Sequence, residues 1–136
     1  MDAFVQPLYE LADFDAIIRQ LKKPGIVQVS GCLDSQKAHF TNGLLREFPF
    51  RLIVAENDLK AKAFYEDFRL YDPEVLYYPA RDLIFYQADI HGNLLTRQRI
   101  QVLRALLERE EVTIVTSIDS CLDCLVPLDV WGGKGI

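Results

Sequence analysis

Residues Gly31 to Ala38 read Gly-Cys-Leu-Asp-Ser-Gln-Lys-Ala, and they follow the β-branched run Ile26-Val27-Gln28-Val29-Ser30. A buried strand followed by G-x-x-x-x-G-K-[ST] is typical of a loop that binds nucleotide phosphates, and Gly31 and Lys37 stand at the required spacing. We therefore expect a strand over residues 26–30 and a helix from about Ser35 to Phe48. This order is the beginning of an α/β fold.

Two positions of this loop depart from the functional pattern. Gln36 replaces the second glycine, and its Cβ obstructs the approach of phosphate oxygens to the backbone N–H groups. Ala38 replaces the hydroxyl residue that holds Mg²⁺, and a methyl group offers the metal no ligand. Lys37 and Ser35 could still hold an anion together with the N terminus of the helix, although a solvated lysine is the simpler interpretation. We expect a degenerate nucleotide loop with no catalytic residue, no metal and no cofactor of its own.

Strands and helices alternate along the rest of the chain. Further strands are predicted at Arg51–Ala55, Val75–Tyr78 and Val112–Thr116, with a loop over Pro79–Gly92. Helices are predicted at Leu8–Lys23, from the cap Asp58 to Leu70, at Leu94–Arg109, and from Ser117 or Asp119 to Cys124. Such alternation predicts an α/β fold, a three-layer parallel sheet of about four strands covered by helices on both faces. We expect one domain over residues 1–127 and a flexible end over residues 128–136 that leads to a second subdomain.

Composition excludes several classes of protein. The 136 residues carry a net charge of −5, whereas an autonomous nucleic-acid binder needs cationic contacts to phosphates. No apolar run is long enough to cross a bilayer and the N terminus does not resemble a signal peptide, so a cytoplasmic protein is expected. Cys121 and Cys124 form a C-x-x-C pair, but a zinc site needs four ligands and no second pair accompanies it. We interpret these two residues and Cys32 as ordinary reduced, partly buried thiols.

The chain also resembles a known family. Residues Arg104 to Ser117 read Arg-Ala-Leu-Leu-Glu-Arg-Glu-Glu-Val-Thr-Ile-Val-Thr-Ser, and this stretch is similar to the first motor-like domain of the excision-repair protein UvrB. The aromatic residues Tyr77, Tyr78, Phe85 and Tyr86 before it also resemble that family. UvrB proteins have an intact nucleotide loop and a long DNA-clamping hairpin. In this chain the loop is degenerate, and residues Phe85 to Asn93 are too few for the hairpin. The combination resembles the N-terminal UvrB-like module of the bacterial transcription-repair coupling factor, Mfd, over about Ile26 to Pro127.

This resemblance implies a function in nucleotide-excision repair. In that family the N-terminal module has the fold of UvrB without ATPase activity, and ATP and Mg²⁺ serve a separate DNA-translocating motor later in the chain. The module helps to recruit UvrA to stalled RNA polymerase. The residues that contact UvrA lie mainly in a second subdomain beginning near the end of this chain, so the chain itself is expected to be a scaffold with weak or no DNA binding.

Two groups of side chains invite a binding function, and each has a simpler interpretation. Arg97, Arg99 and Arg104 could contact DNA or a partner, but helix arginines are more often solvated and paired, here with Glu108 or Glu110. The four aromatic residues named above could stack on bases, but without a basic patch they are more often core and rim residues. Asp89 and His91, two positions apart, could form a proton-transfer pair, but no serine or cysteine nucleophile is in view near them.

Two alternatives to the scaffold remain open from the sequence. The first is an active or ATP-binding helicase domain related to UvrB that tolerates an unusual loop. The second is an unrelated doubly wound domain whose likeness to UvrB is accidental.

Overall fold

The chain forms a small parallel sheet with helices on both faces. The computed structural model describes residues 3–80 and 90–121, without the side chains of residues 90–96. After a 3-10 helix at Gln6–Glu10, its elements are α1 (Phe14–Leu21), α2 (Asp34–Leu45), β1 (Phe50–Ala55), α3 (Asp58–Phe68), β2 (Leu76–Tyr78), α4 (Ile90–Glu108), β3 (Val112–Ser117) and α5 (Ile118–Cys121). The α/β class predicted from the alternation is therefore confirmed.

The three strands within the described ranges are all parallel, in the order β1-β3-β2. Val115 of β3 is the central residue, opposite Ile53 of β1 and Tyr77 of β2. All six residues of β3 are buried, as expected of a strand with a neighbour on each side and a helix on each face. The predicted number of about four strands is one too high for the described part of the chain.

The missing strand is the one that should precede the nucleotide loop, so that prediction was wrong. Residues 26–30 form no strand, and the side chain of Ile26 is 99% exposed. β-branched residues favour a strand mainly because they pack on a half-buried sheet, and that preference has no effect without a neighbouring strand. Gly25, at φ +146°, turns the chain just before this segment. The sheet thus begins with β1, after the loop instead of before it.

Each face of the sheet packs against one long helix. Ala61 and Phe68 of α3 pack with Val75 and with Val115 of β3, and Ala38 of α2 joins this cluster. On the opposite face, Val102 and Ala105 of α4 pack with Ile114 of β3. Three layers result, but α4 packs mainly on β2 and β3. The outward residues of β1 therefore stay in solvent, and Leu52 among them is 61% exposed.

The N-terminal elements add a separate small cluster beside α2. Leu8, Phe14, Ile18 and Leu44 are its buried members. The helix predicted over Leu8–Lys23 is divided here, because the chain makes a turn at residues 11–13 between the 3-10 helix and α1. Gly43 lies where this layer touches α2, since a Cβ there would clash with Leu8 Cδ1.

Three details of the helices differ from the prediction. Asn57, not Asp58, caps α3, because its side chain accepts a hydrogen bond from the Lys60 amide at 2.8 Å. Helix α4 begins at Ile90, inside the predicted loop. The apolar period of the sequence predicts Ile100, Leu103, Leu106 and Leu107 on its inward face. Leu103 is buried as expected, but Leu106 and Leu107 are exposed, and Val102 and Ala105 are buried instead. Among the described residues, no helix combines the length and the hydrophobicity that a membrane span requires.

Candidate functional site

The degenerate loop is the first candidate site, and its backbone is only partly like a phosphate-binding turn. Gly31 has φ +89°, a left-handed conformation that favours glycine over any residue with a Cβ. Ser35 and Gln36 are exposed in the first turn of α2. The side chain of Gln36 turns back toward the loop, where its Oε1 accepts a hydrogen bond from the Leu33 amide at 3.4 Å. It therefore caps the helix at the position that a phosphate would approach.

Lys37 is engaged by a neighbour instead of pointing freely into the loop. Its Nζ lies 2.7 Å from Asp34 Oδ1, one turn earlier on the same helix. The hydrogen bond from Lys37, and then its charge, lower the pKa of the Asp34 carboxyl below the ordinary value. Asp34 is therefore an anion at neutral pH, next to the place where a nucleotide would bring its own negative charge.

Ala38 shows why the final position of the loop carries no hydroxyl. Its side chain is 3% exposed and packs in the core cluster with Ala61, Phe68 and Val115. A threonine in its place would bury a polar atom among apolar neighbours and add volume to a packed interior. The residue thus serves the contact between α2 and α3, away from any solvent-filled loop.

The carboxyl-terminal edge of the sheet is the second candidate, because ligands of open parallel sheets bind there. Asp58, just after β1, accepts hydrogen bonds from the Tyr77 hydroxyl and from the Ala80 amide, the latter at 3.3 Å. Burial, and then the hydrogen bond to Asp58, raise the pKa of Tyr77 well above its ordinary value. Both groups are therefore occupied in joining the ends of β1 and β2.

Three hydroxyl groups at this edge are also hydrogen-bonded within the described part of the chain. Thr116 of β3 donates its hydroxyl hydrogen to the Tyr78 carbonyl at 3.0 Å. Ser117 and Ser120 share a buried hydrogen bond between their hydroxyl oxygens at 3.0 Å, and the Ser117 oxygen accepts the Ser120 amide at 3.4 Å. Ser117, rather than Asp119, thus caps α5. The hydrogen bonds described at this edge all tie one element to another.

The three arginines of α4 have different surroundings. Arg99 donates from Nε to the Pro79 carbonyl at 3.0 Å and lies over the Tyr78 ring, 4.8 Å from its centroid. Arg104 pairs with Glu108 at 2.9 Å, one of the two partners expected from the sequence. Arg97 is exposed. Tyr78 is buried under Arg99, so it presents no free face for stacking on a base.

Several predicted features fall outside the described residues. Phe85, Tyr86, Asp89 and Cys124 lie there, as does the 128–136 end, and the side chain of His91 is not described either. Of the other two cysteines, Cys32 is half-buried as expected, whereas Cys121 is exposed, contrary to the prediction. No group of three or more metal-ligating side chains occurs in the parts of the chain that are described.

Sequence reasoning missed a polar cavity of about 380 Å³ at the opposite, amino-terminal edge of the sheet. Arg51 of β1 and Thr113 of β3 line it, next to Asn42 and Arg46 from α2. The signal was an arginine at the start of an otherwise apolar strand, which the prediction treated only as a strand boundary. Its partner across the sheet is 62 positions later, too distant for any local pattern to connect them.

The comparisons with known proteins give no relative for this chain. No family model, curated protein or solved structure matches it.

Proposed function

We propose that this chain is a non-catalytic scaffold module of a bacterial transcription-repair coupling factor, acting in nucleotide-excision repair. The observation that carries the non-catalytic part is the burial of Ala38. The position that should present a metal-binding hydroxyl is instead part of the core between α2 and α3. A bound nucleotide would find neither the Mg²⁺ ligand nor the preceding strand that a working loop requires.

The family assignment rests on the sequence resemblance, and the fold is compatible with it. The UvrB-like stretch from Arg104 to Ser117 forms the end of α4 and all of β3, the strand at the centre of the sheet. In this chain the UvrB-like segment forms part of the core. Such an arrangement suits a scaffold that holds neighbouring parts of a larger protein in place. The internal use of the hydrogen-bonding groups at the carboxyl edge supports the same role.

The parent protein would supply the chemistry. ATP and Mg²⁺ would act only at its separate motor, which drives translocation on DNA. UvrA and RNA polymerase would be partners of the parent, with UvrA docking mainly on the subdomain that follows this chain. The module itself, with its net charge of −5, would bind DNA weakly or not at all, in the cytoplasm and away from membranes.

The alternative, an active or ATP-binding helicase domain, makes a different prediction for the intact parent. Lys37→Ala should leave DNA-stimulated ATP turnover by the parent unchanged if the loop is inactive. If the loop is functional, the same substitution removes the lysine that contacts the β and γ phosphates, and ATP turnover should fall by orders of magnitude. Lys62→Ala, at an exposed position of α3, is the matched control for removing a surface cation. A turnover that depends on Lys37 but not on Lys62 would overturn the scaffold proposal.

The recruiting role has its own test in the same parent. Deleting this chain should weaken the co-purification of UvrA with the parent, because the subdomain on which UvrA mainly docks then loses its scaffold, while RNA polymerase binding and DNA-stimulated turnover persist. Equal recovery of UvrA with and without the chain would remove the proposed role.

A further inference from the structure

The outward face of β1 is an apolar surface in contact with solvent. Phe50, Leu52 and Val54 alternate along the strand on this face, and their side chains are 47 to 61% exposed. Among the described strands only β3 pairs with β1, so the other edge of β1 has no strand beside it. Folded proteins normally cover such an edge or place charges on it, because it readily pairs with another strand. An apolar strand at an open edge therefore calls for an occupant.

A groove beside this face shows what chemistry the occupant must have. It has a volume of about 220 Å³ and is lined by Leu52 of β1 and by Leu103 and Leu106 of α4. Ile114 of β3 also lines it, as does Cys121, the last residue of α5. Among the described residues of the lining, none is charged. A phosphate or a nucleic acid would find no ionic partner in this groove, whereas apolar side chains are stabilised by leaving water there.

The chain continues from the lining of this groove with a sequence of matching chemistry. After Cys121, residues 122–131 read Leu-Asp-Cys-Leu-Val-Pro-Leu-Asp-Val-Trp. Every second residue from the first of these is apolar: Leu122, Cys124, Val126, Leu128 and Val130. The two acidic residues, Asp123 and Asp129, both belong to the other set. Alternation with a period of two is typical of an extended segment with one side buried and the other in water.

The length and the attachment of this segment also fit the surface. Ten extended residues span up to about 33 Å, whereas the six residues of β1 are about 20 Å long. The segment can therefore start at the groove and follow the whole strand. Because it is joined to a residue of the lining, its effective concentration at the groove is on the order of millimolar. A separate partner or a second copy of the chain would have to compete with it.

We propose that residues 122–131 dock in this groove and along the outward face of β1 as an extended segment. The apolar set from Leu122 to Val130 packs on Leu52 and its neighbours, while Asp123 and Asp129 remain in solvent. The flexible end that the sequence predicts from residue 128 then begins only after this segment. The docking does not depend on the function proposed above.

Cysteine labelling of the whole purified chain tests the docking, because Cys124 belongs to the apolar set. Modification by iodoacetamide is followed by mass spectrometry, and fragment ions distinguish Cys124 from the exposed Cys121. A covered thiol reacts only when its cover opens, so Cys124 should be modified at least about tenfold more slowly in the native chain than in the urea-unfolded chain.

Paired variants separate docking from a general effect of added charge. Val126→Asp places a carboxylate on the docked side and should raise the labelling rate of Cys124 to nearly the unfolded value. Leu125→Asp, one position earlier on the solvent side, should leave the rate low. On the sheet, Leu52→Asp should release the segment, and Leu59→Asp, at an 80% exposed position of α3, is its control. Circular dichroism verifies the fold of each variant, and either releasing variant is sufficient if the other does not fold.

Three outcomes would overturn the proposal. The first is labelling of Cys124 in the native chain at the unfolded rate. The second is equal labelling in the Val126→Asp and Leu125→Asp chains. The third is protection that increases with protein concentration between about 1 and 100 µM together with a dimer in sedimentation, because a second copy would then occupy the surface.

Discussion

Lys37 Nζ and Asp34 Oδ1 lie 2.7 Å apart across the first turn of α2. In a working nucleotide loop the lysine contacts phosphates, whereas here a carboxylate three residues earlier occupies it. An exposed ion pair is worth little by itself, so a nucleotide could displace it. The burial of Ala38 and the missing strand at residues 26–30 cannot be displaced in that way. The proposal of an inactive loop rests on these two features more than on the ion pair.

Restoring a hydroxyl at position 38 of the loop should destabilise the fold and should not restore nucleotide binding. Ala38→Thr adds a methyl and a hydroxyl to a side chain that is 3% exposed, and we expect a loss of about 1 to 3 kcal/mol in the free energy of unfolding. Urea denaturation measures it, with Ser35→Thr on the exposed side of the same helix as the control. A variant of full stability that also binds Mg-ATP would show that the position faces a nucleotide site.

The hydroxyl of Thr116 should contribute to stability, whereas that of Thr113 should not. Thr116→Val removes the hydrogen bond to the Tyr78 carbonyl between β3 and β2, at an expected cost of about 1 to 2 kcal/mol. Thr113→Val on the same strand removes a hydroxyl without a partner and serves as the matched control. Chemical denaturation of both variants measures the two changes in the free energy of unfolding. Equal losses would mean that the threonines contribute through packing alone.

The start of α3 depends on one side chain. Asn57→Ala removes the acceptor for the Lys60 amide, and loss of such a cap typically costs about 1 kcal/mol. Asn57→Asp keeps an oxygen at the same place and should retain most of the stability. If alanine and aspartate variants have the same midpoint in urea, Asn57 does not act as a cap.

Tyr77 should make the fold sensitive to alkali. Its pKa is raised in the folded state by burial and by Asp58, while in the unfolded chain it keeps the ordinary value of 10.0. The contribution of Tyr77 to the free energy of unfolding is therefore complete below about pH 10. It declines as pH rises above that value, because the tyrosine of the unfolded chain loses its proton first. Thermal melting between pH 8 and 11 should show a steeper decline for the native chain than for Tyr77→Phe. Parallel curves would mean that Tyr77 ionises equally in both states.

The sequence was sufficient for those elements whose order and local pattern agree. Strand β1 and helix α3 were predicted within about two residues, because an apolar run, a polar cap and a proline break follow one another there. Residues 26–30 were predicted wrongly, since a β-branched run becomes a strand only when a neighbouring strand pairs with it. The buried face of α4 was predicted only in part. Leu103 is buried as expected, but Leu106 and Leu107, which are exposed, fit the helical period as well as the buried Val102 and Ala105 do.

The candidate sites also divide into features that a local sequence pattern predicts and features that depend on contacts between distant parts of the chain. The replacements at Gln36 and Ala38 could be interpreted from the sequence, because each position of a nucleotide loop has its own chemical task. The pairing of Arg51 with Thr113 could not, since it depends on the register of two strands that are far apart in the chain. The role of Asp58 was also missed, because its partner Tyr77 belongs to the next strand.

The central claim, that the loop is inactive, is tested most directly by the thermal melting of the purified chain with and without 5 mM Mg-ATP. A nucleotide bound at a hundredfold excess over its Kd would add about 2.7 kcal/mol of stability. We predict that the transition does not move, either for the native chain or for Gln36→Gly. A rise in Tm of several degrees that Lys37→Ala abolishes would contradict the account.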